Sequence, residues 1–215
     1  ERNSVDGRLK GYRIYQVNED KVDTFYRELD QKNQIEVLKP NPLVSQLDKV
    51  IAQIYTENPP LNSVSCQMNE GEWLPMFIEE HGDWFVASYK NDTDHLLDHT
   101  YHQLKIKVND MAGDFTKTVD FKVSSEEKIS FTELYDHFYT YLGYPVTVEG
   151  EINSSFIELQ YESHNREIYN GIIFLKDQSG KGIILIAEYG FPKGEVLKKS
   201  QYVTAEVIPL QFSWD

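Results

Sequence analysis

The sequence predicts a mainly β protein built from more than one module, and three observations support this prediction. The chain has 215 residues, which is more than one small sandwich needs and suits two or three modules. Its 14 Tyr and 11 Phe belong to the residue types that favour strands. Short β-rich runs also recur along the chain, separated by Gly, Asn, Asp and Pro.

The N-terminal part predicts a β-hairpin. Residues 11–17 and 21–29 are rich in aromatic and β-branched side chains, and the turn-forming segment 18–20 separates them. A helix over residues 19–29 is the competing interpretation. The alternation of β-branched and aromatic residues in that segment favours a strand.

A boundary between modules is predicted shortly after this hairpin. A further extended run, 34–38, ends at Pro40 and Pro42, which interrupt regular structure. The chain begins at Glu1 rather than Met, so an upstream part is expected to precede it. We therefore interpret residues 1–43 as a hairpin remnant that closes an upstream domain.

Residues 44–125 predict a β-sandwich. A β-rich stretch over 44–57 comes first, and shorter runs follow it at regular spacing, at 63–68, 72–80, 84–89, 101–108 and 115–123. Trp73 and Trp84 are expected in the sandwich core. Several short strands with turn residues between them are typical of an immunoglobulin-like (Ig-like) sandwich.

Residues 126–143 predict a linker helix. Ser130 is a good N-cap residue, and Glu133 completes the sequence pattern of a capping box. Gly143 suits the position after the last turn, and Pro145 prevents the helix from continuing. One apolar stripe is expected to face inward, formed by Phe131, Leu134, Tyr135, Phe138 and Leu142.

Residues 144–215 predict a small β-barrel. They contain five β-rich runs, at 146–151, 156–161, 172–176, 182–187 and 202–212. Five strands in so short a segment fit a small closed barrel, and the pattern resembles a barrel of the OB type. The predicted fold class is therefore mainly β, with an Ig-like sandwich followed by a short helix and a small OB-like barrel.

Part of the chain resembles a known group of modules. Residues 57–123 resemble bacterial Ig-like accessory modules, on the segments Ser63–Met68, Gly71–Met76 with Trp84, and His102–Asp114 followed by Val119–Val123. Such modules often carry a turn of the form Asp-x-Ala-Gly-Asn between two strands. The corresponding turn here is Asp110-Met-Ala-Gly-Asp114, with Asp114 in place of Asn.

The order of the three pieces resembles the C-terminal region of a calcineurin-like metallophosphoesterase. The segment Gly11-Tyr-Arg-Ile-Tyr is similar to the closing hairpin of that catalytic domain, and some members carry Ig-like and further β modules behind it. The resemblance implies a catalytic domain upstream of Glu1, in the same polypeptide, that holds two divalent metals. The family's Asp-x-His, Asn-His and Gly-His-x-His motifs do not occur in this sequence.

This resemblance implies a role without catalysis for the chain itself. The chain would be an accessory region that braces the catalytic domain or shapes substrate access, with no catalytic residue or cofactor of its own. The alternative is a non-enzymatic binding or surface protein built of Ig-like and OB-like modules. Self-association into homo-oligomers is compatible with both interpretations.

One cluster of histidines is a candidate metal site. On a helix, His95, His99 and His102 would share one face, and imidazoles so placed bind zinc. The segment lies between two predicted strands, however, and His102 fits the alternation of the second strand. A solvated polar loop is therefore the competing interpretation.

Charge and composition disfavour several partners. The net charge is −14, and residues 144–215 alone hold 6 basic and 10 acidic side chains, so nucleic-acid binding is disfavoured. No apolar run approaches the roughly 18 residues that a membrane-spanning helix requires, so the chain is expected to be soluble without a membrane partner. A single cysteine, Cys66, excludes an internal disulfide and is expected to be buried. The cellular compartment stays open.

Overall fold

The computed structural model describes residues 11–18, 21–91, 100–125, 128–163, 166–187 and 199–210. It divides into two compact units. Unit 1 contains residues 1–126 together with the short segments 142–144 and 210–215. Unit 2 contains residues 127–141 and 145–209.

Unit 1 begins with a two-stranded antiparallel hairpin. Strand β1 (Gly11–Asn18) pairs with strand β2 (Lys21–Glu28) without a bulge. The predicted hairpin is therefore confirmed, and the competing helix is wrong for the residues of β2.

The strands that follow in the described part of unit 1 form two sheets. In chain order they are β3 (Asn33–Lys39), β4 (Leu43–Val44), β5 (Lys49–Thr56), β6 (Ser63–Met68), β7 (Trp73–Pro75), β8 (Phe77–His81), β9 (Trp84–Lys90), β10 (Thr100–Asp110) and β11 (Gly113–Val123). One sheet has the order β3-β5-β9-β8, and the other has the order β4-β11-β10-β6-β7.

These strand orders are those of an Ig-like sandwich. The sheet β3-β5-β9-β8 corresponds to strands A, B, E and D, and β6, β10 and β11 correspond to C, F and G. Strand β4 pairs in parallel with β11 at one edge of the second sheet. The predicted sandwich is therefore confirmed.

The structure differs from the prediction at two boundaries. Strand β3 pairs with β5 along most of its length, so the sandwich already includes residues 33–39, ahead of the predicted division at residue 44. The predicted run 72–80 is also divided, because β7 and β8 belong to different sheets. The chain changes sheet at Met76, whose backbone N–H donates to Val64 O at 2.9 Å.

The core of unit 1 lies between the two sheets. Strand alternation explains its composition, since every second residue of each strand points inward. The first sheet contributes Ile35, Val50, Ala52, Ile54, Phe85 and Ala87, and the second contributes Val64, Cys66, Leu104, Ile106, Val108, Phe121 and Val123.

Unit 2 contains two short helices and one antiparallel sheet among its described residues. The helices are α1 (Phe131–Asp136) and α2 (Phe138–Tyr141). The strands are β12 (Val146–Ser163), β13 (Arg166–Lys176), β14 (Gly182–Ala187) and β15 (Tyr202–Val207), in the order β14-β13-β12-β15. The protein is thus mainly β, with a sandwich and a small barrel-like β unit.

The predicted helix forms in part. Ser130 caps α1, because its hydroxyl accepts from Glu133 N at 3.1 Å, but the helix is interrupted at His137 and resumes as α2. Phe131 and Leu134 are buried as expected. Tyr135 was expected on the buried stripe but is exposed, and its hydroxyl donates to Gly182 O.

The predicted barrel strands are also revised. The runs 146–151 and 156–161 are a single strand, β12, with register shifts at Ile152/Ser154 and Leu159/Tyr161. Small polar residues in its middle thus mark a bulge, where one strand bends, rather than a turn. The finer assignment to the OB type stays a prediction, because the described residues provide four strands of the five that define it.

No helix in the described part of the chain is long and apolar enough to span a membrane.

Candidate functional site

The hairpin packs on the outer face of the sheet β3-β5-β9-β8. Phe25 of β2 is almost completely buried, and its ring stacks on that of Trp84 with centroids 5.1 Å apart and planes inclined by 25°. Trp84 belongs to the face of β9 opposite the core residue Phe85. An aromatic pair of this geometry adds about 0.5–1.5 kcal/mol to the burial of its apolar surface.

A cation and a second aromatic ring extend this contact. The Arg27 guanidinium carbon lies 3.7 Å from the centroid of the Tyr55 ring, within the range of a cation–π interaction. The Tyr55 ring in turn contacts Trp84, with centroids 5.4 Å apart. Residues from β2, β5 and β9 therefore form one continuous aromatic contact.

Two glutamine side chains of the sandwich bind the hairpin backbone. Gln34 Nε2 donates to Tyr26 O at 2.8 Å, and Gln34 Oε1 accepts from Glu28 N at 3.0 Å. Gln53 Nε2 donates to Thr24 O at 3.0 Å. Both glutamines are buried, so these bonds satisfy amides that would otherwise be costly to bury.

These bonds define how the hairpin is oriented. In an antiparallel ladder, consecutive residues direct their N–H and C=O groups to opposite edges of the strand. Thr24, Tyr26 and Glu28 bind glutamine side chains, so they form the edge of β2 that points away from β1. The outer edge of β2 therefore lies against the sandwich.

One face of the hairpin remains exposed. Tyr15, Val17 and Val22 are 64%, 66% and 57% exposed, and the ladder places all three on the face opposite Phe25. We call this set the hairpin face. Exposed apolar residues grouped in this way mark a surface for interaction, whereas a single exposed one does not.

A glycine allows the two strands of the hairpin to approach closely. A Cβ at Gly11 would collide with the backbone oxygen of Arg27 and with the ring of Tyr26. The glycine at the start of the segment Gly11-Tyr-Arg-Ile-Tyr is therefore required by the packing of this hairpin.

The turn between β10 and β11 is held by Asp110, as its sequence pattern suggested. Asp110 Oδ1 accepts from Ala112 N at 2.7 Å and Gly113 N at 3.0 Å, and Oδ2 accepts from the Thr56 hydroxyl at 2.5 Å. Burial alone would raise the pKa of Asp110, but these hydrogen bonds outweigh it and lower the pKa below its ordinary value. The carboxylate therefore joins the two sheets, since Thr56 and Asp110 lie in different ones.

Of the three candidate zinc ligands, the structure describes His102. His95 and His99 lie outside the described residues, so the predicted metal site stays a prediction. His102 is buried on β10, where Asn69 Nδ2 donates to its Nδ1 at 2.7 Å and Thr100 Oγ1 lies 2.9 Å from its Nε2. Asn69 Oδ1 accepts from Gln103 N at 2.9 Å, which fixes the orientation of the amide and makes Nδ1 of His102 the acceptor of the Asn69 N–H.

Binding of a metal by His102 would replace one of these two contacts. Within the described ranges, no group of three or more His, Cys, Asp and Glu side chains is arranged to hold a metal ion.

Two further side chains with reactive groups, Cys66 and His81, lie where a structural role explains them. Burial raises the pKa of the Cys66 thiol to about 11, so this thiol stays protonated in the core. His81 Nε2 lies 3.7 Å from Glu79 Oε2, two residues away on the same face of β8. Neither arrangement offers an activated nucleophile or a base beside a binding cavity.

The prediction that Trp73 and Trp84 lie in the sandwich core is wrong. Trp84 is buried, but by the hairpin on the outer face of its sheet and not in the core. Trp73 is 38% exposed on the edge strand β7, with Lys107 Nζ 4.6 Å from the ring centroid. The sequence signal that pointed to the true arrangement was the presence of Gln34 and Gln53 at outward positions of strands, where an amide can bind another backbone.

No protein-family model matches the chain, and no curated protein is significantly similar to it in sequence.

Proposed function

We propose that this chain is a non-catalytic accessory region, and that its hairpin connects the sandwich to a neighbouring protein domain. One observation carries this proposal. The hairpin is bound to the sandwich through Phe25 and Trp84, while its opposite face exposes Tyr15, Val17 and Val22. A hairpin held on one side and apolar on the other is suited to lie between two folded bodies.

The sequence resemblance supports one particular neighbour. The order of hairpin, Ig-like sandwich and small β unit is similar to that of the C-terminal region of a calcineurin-like metallophosphoesterase. In this proposal the two divalent metals and the hydrolysis of a phosphoric ester belong to that neighbouring domain. The chain described above would brace the catalytic domain or shape access of the substrate.

A test begins with the complete reading frame. Asp-x-His and Asn-His motifs ahead of Glu1 would support the proposal, and a frame that encodes only further Ig-like modules there would contradict it. The purified 215-residue chain should itself show no phosphodiesterase activity when manganese is added.

The same test extends to the complete polypeptide. A triple variant with Tyr15→Ser, Val17→Ser and Val22→Ser should lower the melting temperature of the catalytic domain. Serine at Met111 is the matched control, because Met111 is equally exposed at 66% but lies in the turn between β10 and β11. An equal response to both changes would contradict a bracing role of the hairpin face.

A binding protein without catalysis is the second candidate, and a feature of unit 2 favours it. Phe174 of β13 and Ile184 of β14 are directly opposite in the ladder, and both are exposed. An exposed apolar pair of this kind suits a contact with another protein. The complete reading frame distinguishes the two candidates, since only the first requires a catalytic domain.

A further inference from the structure

The edge of β1 that points away from β2 is open in the described part of the chain, where β1 pairs with β2 alone. The even-numbered residues of β2 direct their backbone groups toward the sandwich, so the ladder register assigns the odd-numbered residues of β1 to the free edge. The N–H and C=O groups of Arg13 and Tyr15 therefore point outward. A row of such groups is a template for another strand.

The other long strand edges in the described part of unit 1 carry features that oppose strand addition. Strand β3 has a register shift between Val37 and Lys39 and is followed by Pro40. Strand β8 carries Glu79 and Glu80, and the stretch of β11 that β4 leaves unpaired carries two aspartates and a lysine. Strand β1 is eight residues long and has no bulge, Pro, Lys or acidic residue. Bulges, prolines and charges are the usual means by which proteins protect an edge, so β1, whose one charge is that of Arg13, is the least protected of these edges.

We propose that the free edge of β1 pairs with β1 of a second copy of this chain, antiparallel and about a two-fold axis. The two hairpins then form one four-stranded sheet with the order β2-β1-β1-β2. With the axis at Ile14, Arg13 of each copy lies opposite Tyr15 of the other, and the two isoleucines lie side by side.

The sequence of β1 complements itself in this register, which identifies the second copy as the occupant. Two chains that each carry a net charge of −14 repel one another over most of their surfaces, so two copies approach best at a segment without acidic residues. The sequence of β1 contains one charge, that of Arg13, and no acidic residue. The register centred on Ile14 places each arginine beside a tyrosine rather than beside the other arginine. Arginine already lies over tyrosine within this unit, as Arg27 does over Tyr55.

This pairing goes beyond the proposed function, because it concerns the edge of the hairpin and not its face. It also enlarges that face, since the combined sheet presents Tyr15, Val17 and Val22 of both copies on one side. Formation of this dimer therefore does not depend on a catalytic domain ahead of the chain.

The experiment uses the 215-residue chain. Light scattering after gel filtration over a concentration series should show the mass doubling as the concentration rises. Amide hydrogen exchange over the same series should show that Arg13 and Tyr15 gain protection only in the dimer. The amides of Tyr12 and Ile14, which point toward β2, should be protected throughout.

Two variants make the test specific. Tyr15→Lys places a charge opposite Arg13 of the second copy and should abolish the dimer. Tyr12→Lys adds the same charge on the opposite face of the same strand and should leave the dimer intact. Far-ultraviolet circular dichroism identical to that of the unchanged chain confirms that each variant folds.

Three results would overturn the proposal. The first is a monomer at every soluble concentration. The second is a dimer in which the Arg13 and Tyr15 amides stay unprotected, which would assign the contact to another surface. The third is equal loss of the dimer in both lysine variants. A reading frame without catalytic motifs would contradict the proposed function alone and leave this result unaffected.

Discussion

Trp84 and Phe85 are neighbours on β9, and each is 4% exposed, but they are buried by different parts of the molecule. Phe85 points into the core between the two sheets. Trp84 points to the outer face and is covered by Phe25 of the hairpin. Equal burial on one strand therefore reflects two different contacts, one within the sandwich and one between the sandwich and an added element.

The two contacts also differ in their chemistry. The inner face of the sheet is mainly apolar and packs by shape, and its buried polar residue Thr56 bonds to Asp110. The outer face combines aromatic rings with the amides of Gln34 and Gln53, which bind backbone groups of β2. An isolated two-stranded hairpin is marginally stable in water, so this mixed contact is what makes the hairpin part of unit 1.

The largest loss of stability is expected from a substitution on the inner face. Phe85→Ala should lower the free energy of unfolding of unit 1 by about 3–5 kcal/mol, because it leaves a cavity in a close-packed core. Urea unfolding followed by fluorescence measures this change. Phe77→Ala is the control, since Phe77 is exposed on the edge strand β8. A similar loss in both variants would contradict the assignment of the core.

Trp84→Ala tests the outer face. The loss in global stability should be smaller, about 1.5–3 kcal/mol, because the hairpin can detach while the sandwich stays folded. Hydrogen exchange should show the amides of β2 losing protection while those of β10 keep theirs. Trp73→Ala, at an exposed tryptophan away from the hairpin, should leave β2 protected. Uniform loss of protection in Trp84→Ala would show that the two faces are not separable.

Gln34→Met tests the polar part of the outer contact. Methionine retains the length of the side chain but leaves Tyr26 O and Glu28 N without the amide, at a cost of about 1–3 kcal/mol. The matched control is Gln67→Met, because Gln67 bonds only locally, to Gly71 O at 2.7 Å, among the contacts described. Unchanged exchange of the Glu28 amide would contradict the role of Gln34.

The smallest loss of stability is expected at Asp110, which joins the two sheets through its hydrogen bond with Thr56. Its pKa is lowered in the folded state, so its stabilisation is complete above the ordinary value of about 4 and is lost as the pH falls through the folded pKa. Asp110→Asn should therefore lower stability by about 1 kcal/mol at neutral pH. The difference between the two proteins should narrow below about pH 4. Thermal unfolding from pH 7 to pH 3 measures this, and a difference that widens on acidification would contradict it.

Strand alternation made the inner face predictable from sequence. Leu104, Ile106 and Val108 alternate with polar residues and occupy the core as expected, because a strand has a period of two. The turn at Asp110 was also predictable, because Asp and Gly are among the few residue types that favour a tight turn. Local patterns were sufficient in both cases.

The outer face was not predictable in the same way. An apolar residue such as Trp84 on a strand indicates burial without indicating which element covers it, and here the cover is a distant hairpin. The position of β3 was missed for a related reason, because Pro40 and Pro42 end a strand whether or not it belongs to the following module. The candidate zinc site remains a prediction, since two of its three histidines lie outside the described residues.

The glutamine contacts have a consequence for how this hairpin can evolve or be redesigned. Gln34 and Gln53 bind the main chain of β2, which every amino acid except proline presents alike. The outward-facing positions of the hairpin can therefore accept many substitutions while Phe25 and the two amides keep the strand in place. In a redesign, the sandwich would therefore hold hairpins that differ in sequence at these positions.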